Sequence, residues 1–154
     1  MQLDFSTLRP AECYKVLASL ITPRPIAWIT TVNQEGAVNA APFSFFNCFG
    51  SNPPIVAFAP GNKEPGIPKD TARNIRNNRE FVVNIADETL ADKMVATSAS
   101  VPHGESELAI TGLTAAKSVS VMAPRIAEAP VSFECREWAT LEIGSNRMVV
   151  GTVH

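Results

Sequence analysis

The sequence has few residues of the kinds that build metal centres or disulfide frameworks. Its three cysteines, Cys13, Cys48 and Cys135, are widely spaced and form no CxxC pair. Its two histidines, His103 and His154, have no cysteine or histidine partner at ligand spacing. An odd, scattered set of cysteines is typical of reduced cytoplasmic thiols rather than of secreted disulfide scaffolds. We therefore expect neither a disulfide framework nor a metal site, and we assign no metal ligand.

The chain also lacks an excess of charge of one sign and a long apolar run. Its 13 basic and 15 acidic residues give a formal net charge of −2, so no overall field attracts nucleic acid or an anionic membrane. No apolar stretch approaches the roughly 20 residues that span a bilayer. The N-terminus has no basic stretch followed by an apolar run, as a signal peptide would. The sequence predicts a soluble, cytoplasmic protein that binds neither nucleic acid nor a membrane.

The motifs of several large enzyme classes are missing as well. Neither GxSxG, nor a Walker A motif, nor GxGxxG occurs, so the serine hydrolase, P-loop and Rossmann classes have no sequence support. Cys48 has no identifiable basic partner, and we interpret it as a buried structural thiol. His103 is predicted to lie in a loop. These patterns assign no catalytic side chain.

What the sequence does contain is the pattern of a mainly β protein with short helices. Its 154 residues are 45% apolar and 18% charged, the proportions of a globular chain with one core. Short helices are predicted at about 10–20, 72–78 and 87–96, and a proline- and glycine-rich loop at 60–68. Few signs of βαβ alternation favour an antiparallel barrel or sheet. Runs rich in β-branched and aromatic residues predict strands at 26–32, 55–58, 80–85, 131–143 and 148–153. Val38 begins a further extended run, which predicts a hairpin with the first strand.

Residues 1–154 contain no linker that would divide them, so we expect a single domain. The last predicted strand ends at the C-terminus with no element after it. A barrel strand left at an edge exposes unpaired backbone groups, which invites unwanted pairing. We therefore expect that the C-terminal part of the domain is incomplete and that the natural chain continues, or that another chain covers this edge.

The most informative stretch is residues 41–47, with the sequence APFSFFN. An isoalloxazine ring presents a flat apolar surface and a polar edge. Aromatic side chains can pack against the surface, while backbone N–H groups released from strand pairing, with Ser44 and Asn47, can bind the edge. The alternative is that Phe43, Phe45, Phe46 and Phe49 belong to the core, because alternate spacing of phenylalanines also suits a buried strand.

A second stretch, Lys69-Asp70-Thr71, stands at a predicted helix start. Helix N-termini have unsatisfied N–H groups and the positive end of the helix dipole, so they attract phosphate. Lys69 adds a positive charge and the Thr71 hydroxyl adds a donor. The alternative is that Asp70 or Thr71 merely caps the helix and that Lys69 is solvated.

A third stretch, Thr30-Thr31, lies on the first predicted strand. Adjacent strand residues point to opposite faces, so one of the two hydroxyls could reach a ribityl or ring oxygen. Arg24, a few residues earlier, either pairs with a phosphate or stabilises a turn.

The order of these segments resembles that of the flavin-reductase-like family of FMN-binding split barrels. Residues 23–31 (PRPIAWITT) are similar to the family's first strand, residues 41–47 to its flavin-contacting segment, and Asn52-Pro53-Pro54 to the start of the strand that follows. Residues 69–75 and 80–84 are similar to its phosphate-side helix and the strand after it. Later similarity lies at 112–113, 124–126, 129–131 and 134–135, so that the resemblance covers about residues 10–153.

The resemblance implies a six-stranded split β-barrel, antiparallel and Greek-key-like, that forms a homodimer with FMN near the subunit interface. By position, Thr30 and Thr31 would lie beside the flavin, and Lys69 and Thr71 would hold its phosphate side. The ring would meet mostly the backbone groups of Ala41, Phe43, Ser44, Phe45, Phe46 and Asn47.

The resemblance is compatible with two activities. The first is a flavin reductase-like oxidoreductase, in which NADH or NADPH binds transiently and passes a hydride to the flavin. The alternative is an FMN-binding electron carrier or flavin-storage protein. A redox partner protein would reduce its flavin, without nicotinamide chemistry. In both cases the flavin carries the chemistry, so no catalytic side chain is required. A third interpretation is a barrel that has lost its flavin and serves as an interaction domain.

Overall fold

Runs of β-branched and aromatic residues form the strands of the protein, and the segments between them form short helices. The computed structural model describes residues 2–64, 66–102 and 105–154. Its helices are α1 (Pro10–Leu20), α2 (Asp70–Asn78), α3 (Ala91–Ala96) and α4 (Glu107–Thr111), with 3₁₀ turns at Phe5–Thr7 and Glu88–Leu90. Its strands are β1 (Ala27–Val32), β2 (Val38–Phe43), β3 (Phe46–Ser51), β4 (Pro54–Phe58), β5 (Asn62–Glu64), β6 (Ile67–Pro68), β7 (Glu80–Ile85), β8 (Ala115–Ala116), β9 (Arg125–Ile126), β10 (Val131–Ile143) and β11 (Asn146–Val153).

The main sheet is antiparallel and curls into a barrel. Its strand order is β2-β1-β7-β10-β11-β4-β3, so β2 and β3 lie at opposite edges. Six inter-strand spacings of a flat sheet would separate these edges by about 29 Å. Only Ser44 and Phe45 connect the two strands, and a two-residue link spans at most about 11 Å. The sheet must therefore bend until its edges meet at this link.

The core has two layers, because strand side chains alternate between the two faces of a sheet. Ile29 of β1 joins an inner cluster with Phe58 and Phe81, to which strands all round the barrel contribute. Trp28, the preceding residue, joins an outer cluster with Leu108 of α4. Both faces of β1 are thus covered, and all six of its residues are buried.

Asn84 of β7 connects strands and loops on the outer side of the barrel. Its Nδ2 donates to Trp28 O at 3.0 Å and to Thr30 Oγ1 at 3.1 Å. Its Oδ1 accepts from Ile126 N and from Ser132 Oγ, each at 2.9 Å. The side chain is fully buried, so all of its hydrogen-bonding capacity is used inside the protein.

Most of the predicted elements are present, and two expectations are wrong. Segment 60–68 is not only a loop, because β5 and β6 pair within it; such short strands show no apolar pattern by which they could be recognised. The main sheet has seven strands among the described residues, not six. The additional strand is β3, whose residues are largely exposed and therefore lack the buried alternation of a typical strand. His103 lies outside the described residues. None of the helices that the structure describes is long and apolar enough to cross a membrane.

Candidate functional site

Two cavities adjoin where β2 ends and α2 begins, and Pro42 and Lys69 line both of them. The larger, of about 340 Å³, is called the aromatic cavity. The smaller, of about 110 Å³, is called the helix-start cavity. The aromatic cavity is lined by Tyr14, Pro42, Phe43, Ser44, Phe45, Ala59, Pro60, Gly61, Asn62, Lys69, Asn146 and Arg147. The helix-start cavity is lined by Asn39, Ala41, Pro42, Lys63, Lys69, Asp70, Thr71, Glu107 and residues 97–101.

Aromatic side chains form much of the wall of the larger cavity. Tyr14 of α1 lies with its ring centroid 5.8 Å from that of Phe45. Phe43 is only 6% exposed, and its ring packs against Phe58 at 5.3 Å. Phe43 therefore belongs to the core, as the alternative predicted, and also lines the cavity. Phe45 and Phe49 are exposed, so the core interpretation is wrong for those two residues.

The link between β2 and β3 is fixed in place by Arg24. Its Nε donates to Ser44 Oγ at 3.3 Å, and its Nη1 donates to Ala18 O and, at 3.0 Å, to Ile21 O. The guanidinium carbon lies 6.0 Å from the centre of the Phe45 ring. Arg24 thus donates to carbonyl groups at the end of α1, which have no partner within the helix. It also connects that end of the helix to the two-residue link between β2 and β3. Of the two roles considered from the sequence, the structure supports stabilisation of a turn.

The helix-start cavity is built on the N-terminus of α2. Lys69 is the N-cap residue and makes no side-chain capping bond, so the expectation that Asp70 or Thr71 caps the helix is wrong. Asp70 instead pairs with Lys63 at 3.0 Å. Lys69 is half-buried rather than solvated, and its Nζ lies 5.4 Å from the centre of the Phe43 ring. Within the described residues Lys69 forms no ion pair, so its charge is available to a ligand in either cavity.

Glu107 of α4 is a buried carboxylic acid in the wall of the helix-start cavity. Its Oε2 accepts from Ala40 N at 2.9 Å. Ala40 lies on β2, an edge strand, so Glu107 covers a backbone donor that would otherwise lack a strand partner. Burial raises the pKa of Glu107, and the charge of Asp70 raises it further, while the hydrogen bond from Ala40 lowers it.

We expect Glu107→Gln to change how stability depends on pH. Because the pKa of Glu107 is raised in the folded protein, the folded state binds this proton more tightly than the unfolded state. The stabilisation from this proton is complete at acid pH and is lost as pH rises through the raised pKa. The glutamine side chain keeps an oxygen that can accept from Ala40 N but does not titrate. In urea unfolding from pH 4 to pH 8, the variant should gain free energy of unfolding relative to the wild type as pH rises. Parallel pH profiles would contradict this account.

The structure places the ten predicted binding residues in three groups. Six of them line the two adjoining cavities: Ala41, Phe43, Ser44, Phe45, Lys69 and Thr71. Thr71 is almost fully buried, and its Oγ1 accepts from Asn39 Nδ2 at 2.9 Å. Phe46 and Asn47 line a separate apolar groove of about 390 Å³, together with Cys48. Cys48 is exposed, so the prediction of a buried thiol is wrong.

Thr30 and Thr31 line neither cavity. Both are fully buried, and as predicted they face opposite sides of β1. Thr30 Oγ1 donates to Pro124 O and accepts from Asn84. Thr31 Oγ1 accepts from Asn74 Nδ2 of α2 at 3.0 Å. The structure does not bring these two hydroxyls to the other predicted site residues; it places them in hydrogen bonds that hold the barrel.

Several residues of the cavity walls were not predicted from the sequence. Tyr14 comes from α1, Glu107 from α4, and Asn146 and Arg147 from the start of β11. They are far from residues 41–71 in the chain and form no motif with them. Only the closure of the barrel brings them together, so no local signal could have found them.

Comparison with known proteins gives consistent results over nearly the whole chain. The family model described as flavin reductase like domain matches residues 19–154. The crystal structure of nitrilotriacetate monooxygenase component B from Bacillus cereus is 32% identical, with a TM-score of 0.96, over 99% of this chain and 78% of that one. The 2-nitrobenzoate 2-nitroreductase NbaA of Pseudomonas fluorescens is 33% identical, with a TM-score of 0.89, over 99% and 74%.

A third structure supports the fold alone, because its identity is low. A proposed flavin reductase with a split barrel domain from Shewanella frigidimarina NCIMB 400 is 21% identical, with a TM-score of 0.85, over 100% of this chain and 78% of that one. The predicted antiparallel split barrel with short helices is thereby confirmed.

Proposed function

Because the chain belongs to the flavin reductase-like domain family, we propose that it binds FMN in the groove formed by its aromatic and helix-start cavities. The observation that carries this proposal is the position of Lys69. It lines both cavities, beside an aromatic wall on one side and an uncapped helix start on the other. A ligand with a flat aromatic ring at one end and a phosphate at the other suits this arrangement.

The residues present fit such a ligand. The rings of Tyr14 and Phe45, with the short link at Ser44, would hold the isoalloxazine ring and bind its edge. Lys69 and the first turn of α2 would hold the phosphate, because unsatisfied N–H groups and the helix dipole favour an anion there. The pairing of Asp70 with Lys63 reduces the repulsion that a free carboxylate would exert on that phosphate.

We propose further that the bound flavin is reduced by NADH or NADPH. When bound, the flavin would accept a hydride, and no acid or base of the protein is needed for that step. The task of the chain's own residues is then to orient the ring and leave one face accessible to the nicotinamide. Support comes from NbaA, which is 33% identical to this chain and is named as a reductase.

Anaerobic mixing of the FMN-loaded protein with NADH or NADPH tests this reaction. Hydride transfer should bleach the visible absorption of the flavin and produce oxidised nicotinamide in a one-to-one ratio. If neither nucleotide bleaches the flavin while dithionite does, the reductase proposal is wrong. That outcome would favour the second candidate, an FMN-binding electron carrier or storage protein that is reduced by a partner protein.

A further inference from the structure

Another cavity, of about 210 Å³, lies between helix α2 and the hairpin of β10 and β11. It is called the arginine cavity, because three arginines line it: Arg76 and Arg79 of α2 and Arg147 of β11. Glu137 and Glu142 of β10 are also in its wall, so the cavity has one positive charge in excess. An excess of cations around a concave site favours an anionic ligand.

Arg76 and Arg79 have guanidinium nitrogens that no group of the described residues uses. Arg76 Nη2 donates to Glu142 Oε1 at 2.9 Å, and Arg79 Nη1 lies 3.1 Å from Glu137 Oε2. Within the described residues, neither guanidinium forms any other hydrogen bond or ion pair. The two side chains are 62% and 61% exposed, so their remaining N–H groups are open to a ligand.

Arg79 has a backbone conformation that favours glycine. It is the C-cap residue of α2, with φ 61° and ψ 21° in the left-handed region. A glycine at this position would avoid the steric strain that a Cβ atom causes. Its partner Glu137 has a side chain that is only 2% exposed. The strained backbone thus places a charged side chain at the cavity, and a buried carboxylate holds it there.

The arginine cavity adjoins the aromatic cavity but is separate from the proposed phosphate site of FMN. Arg147 lines both the arginine cavity and the aromatic cavity. The helix-start cavity shares no lining residue with the arginine cavity. Arg76 follows Lys69 by seven residues, which is a rise of about 10 Å along α2. An anion in the arginine cavity would therefore be a second group, and not the phosphate of FMN.

We propose that the arginine cavity binds the 2′-phosphate of NADPH, so that the protein prefers NADPH to NADH. This inference rests on the proposed function. With the nicotinamide ring on the flavin in the aromatic cavity, the adenosine half of the dinucleotide would extend past Arg147 to the adjoining cavity. The 2′-phosphate, which NADH lacks, is a monoester with nearly two negative charges and three acceptor oxygens. Arginine side chains bind such a group through paired hydrogen bonds.

Reduction of the FMN-loaded protein by each nucleotide tests this preference. In anaerobic mixing, the second-order rate constant of the wild type should be at least about tenfold higher for NADPH than for NADH, because losing hydrogen bonds to a charged group has an effect of this size. Arg76→Gln removes one charge from the arginine cavity, while Arg147 remains as a partner of Glu142. This variant should react about tenfold more slowly with NADPH and within about twofold of the wild type with NADH.

Arg136→Gln is the matched control. Arg136 is 54% exposed and pairs with a glutamate, as Arg76 does, but it lines none of the cavities described. Its variant should react with both nucleotides within about twofold of the wild type. An unchanged ratio of the NADPH and NADH rate constants in Arg76→Gln would overturn the inference. If Arg76→Gln does not fold, Arg76→Met replaces it under the same criterion.

Calorimetric titration with adenosine 2′-phosphate tests the cavity without turnover. The wild type should bind it more tightly than adenosine 5′-phosphate or inorganic phosphate, and Arg76→Gln should bind it about tenfold more weakly. Equal affinities for the three ligands would indicate a general phosphate site and would also overturn the inference. If neither nucleotide reduces the flavin while adenosine 2′-phosphate binds through Arg76, the proposed reductase activity is wrong and the nucleotide site stands, so the two failures are distinguishable.

Discussion

Lys69→Met is expected to weaken FMN binding about tenfold to a hundredfold and to leave riboflavin binding nearly unchanged. A hydrogen bond to a charged group contributes about 1.5–3 kcal/mol, and every 1.4 kcal/mol is a factor of ten in affinity. Only FMN has the phosphate that this cation would hold. Methionine keeps an unbranched side chain that can pack against Phe43, near which the Lys69 ammonium now lies. Titrating each variant with FMN and with riboflavin gives both dissociation constants.

Lys117→Met is the matched control for this experiment. Lys117 lines neither cavity, so its variant loses the same charge at a distance from the site. Its FMN affinity should stay within about twofold of the wild type, because surface charges interact weakly over such distances. Equal losses for FMN and riboflavin in Lys69→Met would contradict the assignment of the phosphate to the start of α2.

Asn84→Leu is expected to reduce the free energy of unfolding by about 3 kcal/mol or more. Leucine has the same branched arrangement of side-chain heavy atoms as asparagine but can neither donate nor accept, so four groups lose a partner. Each unsatisfied buried group costs about 1–3 kcal/mol. Urea unfolding followed by circular dichroism measures the difference.

Ser132→Ala is the smaller change with which the loss of stability in Asn84→Leu is compared. It removes only one of the four hydrogen bonds, the one that Ser132 Oγ donates to Asn84 Oδ1. Its expected cost is about 1 kcal/mol. If Asn84→Leu costs no more than Ser132→Ala, the side chain of Asn84 does not connect the strands as described.

The sequence predicted those parts of the fold whose pattern is local. Residues 80–85 and 131–143 are rich in apolar and β-branched side chains, and β7 and β10 have these bounds. The helix at 10–20 begins at Pro10, whose fixed backbone suits a first turn, and α1 has the predicted ends. Strand β3 was missed because its exposed residues do not alternate between a core and solvent.

The candidate site was predicted only where its residues are close together in the chain. Segment 41–45 and the pair Lys69 and Thr71 line adjoining cavities, and each was recognised from a short pattern. Arg147 could not be predicted, because a lone arginine in a hairpin looks like a surface residue. Its place in the cavity wall depends on strands that come together only in the folded barrel. The hydroxyl of Thr30 is used by Pro124 and Asn84, partners that lie far away in the sequence.

The central claim is that the aromatic and helix-start cavities together bind flavin. A titration of the purified protein with FMN tests this claim most directly. Removal of any flavin that copurifies precedes the titration, which follows the visible absorption and the fluorescence of FMN. We expect saturable binding of one FMN per chain, with altered absorption bands, because the ring would leave water for an aromatic cavity. Free FMN spectra at every protein concentration, with no saturation for FMN, FAD or riboflavin, would contradict the account and favour a barrel that serves only as an interaction domain.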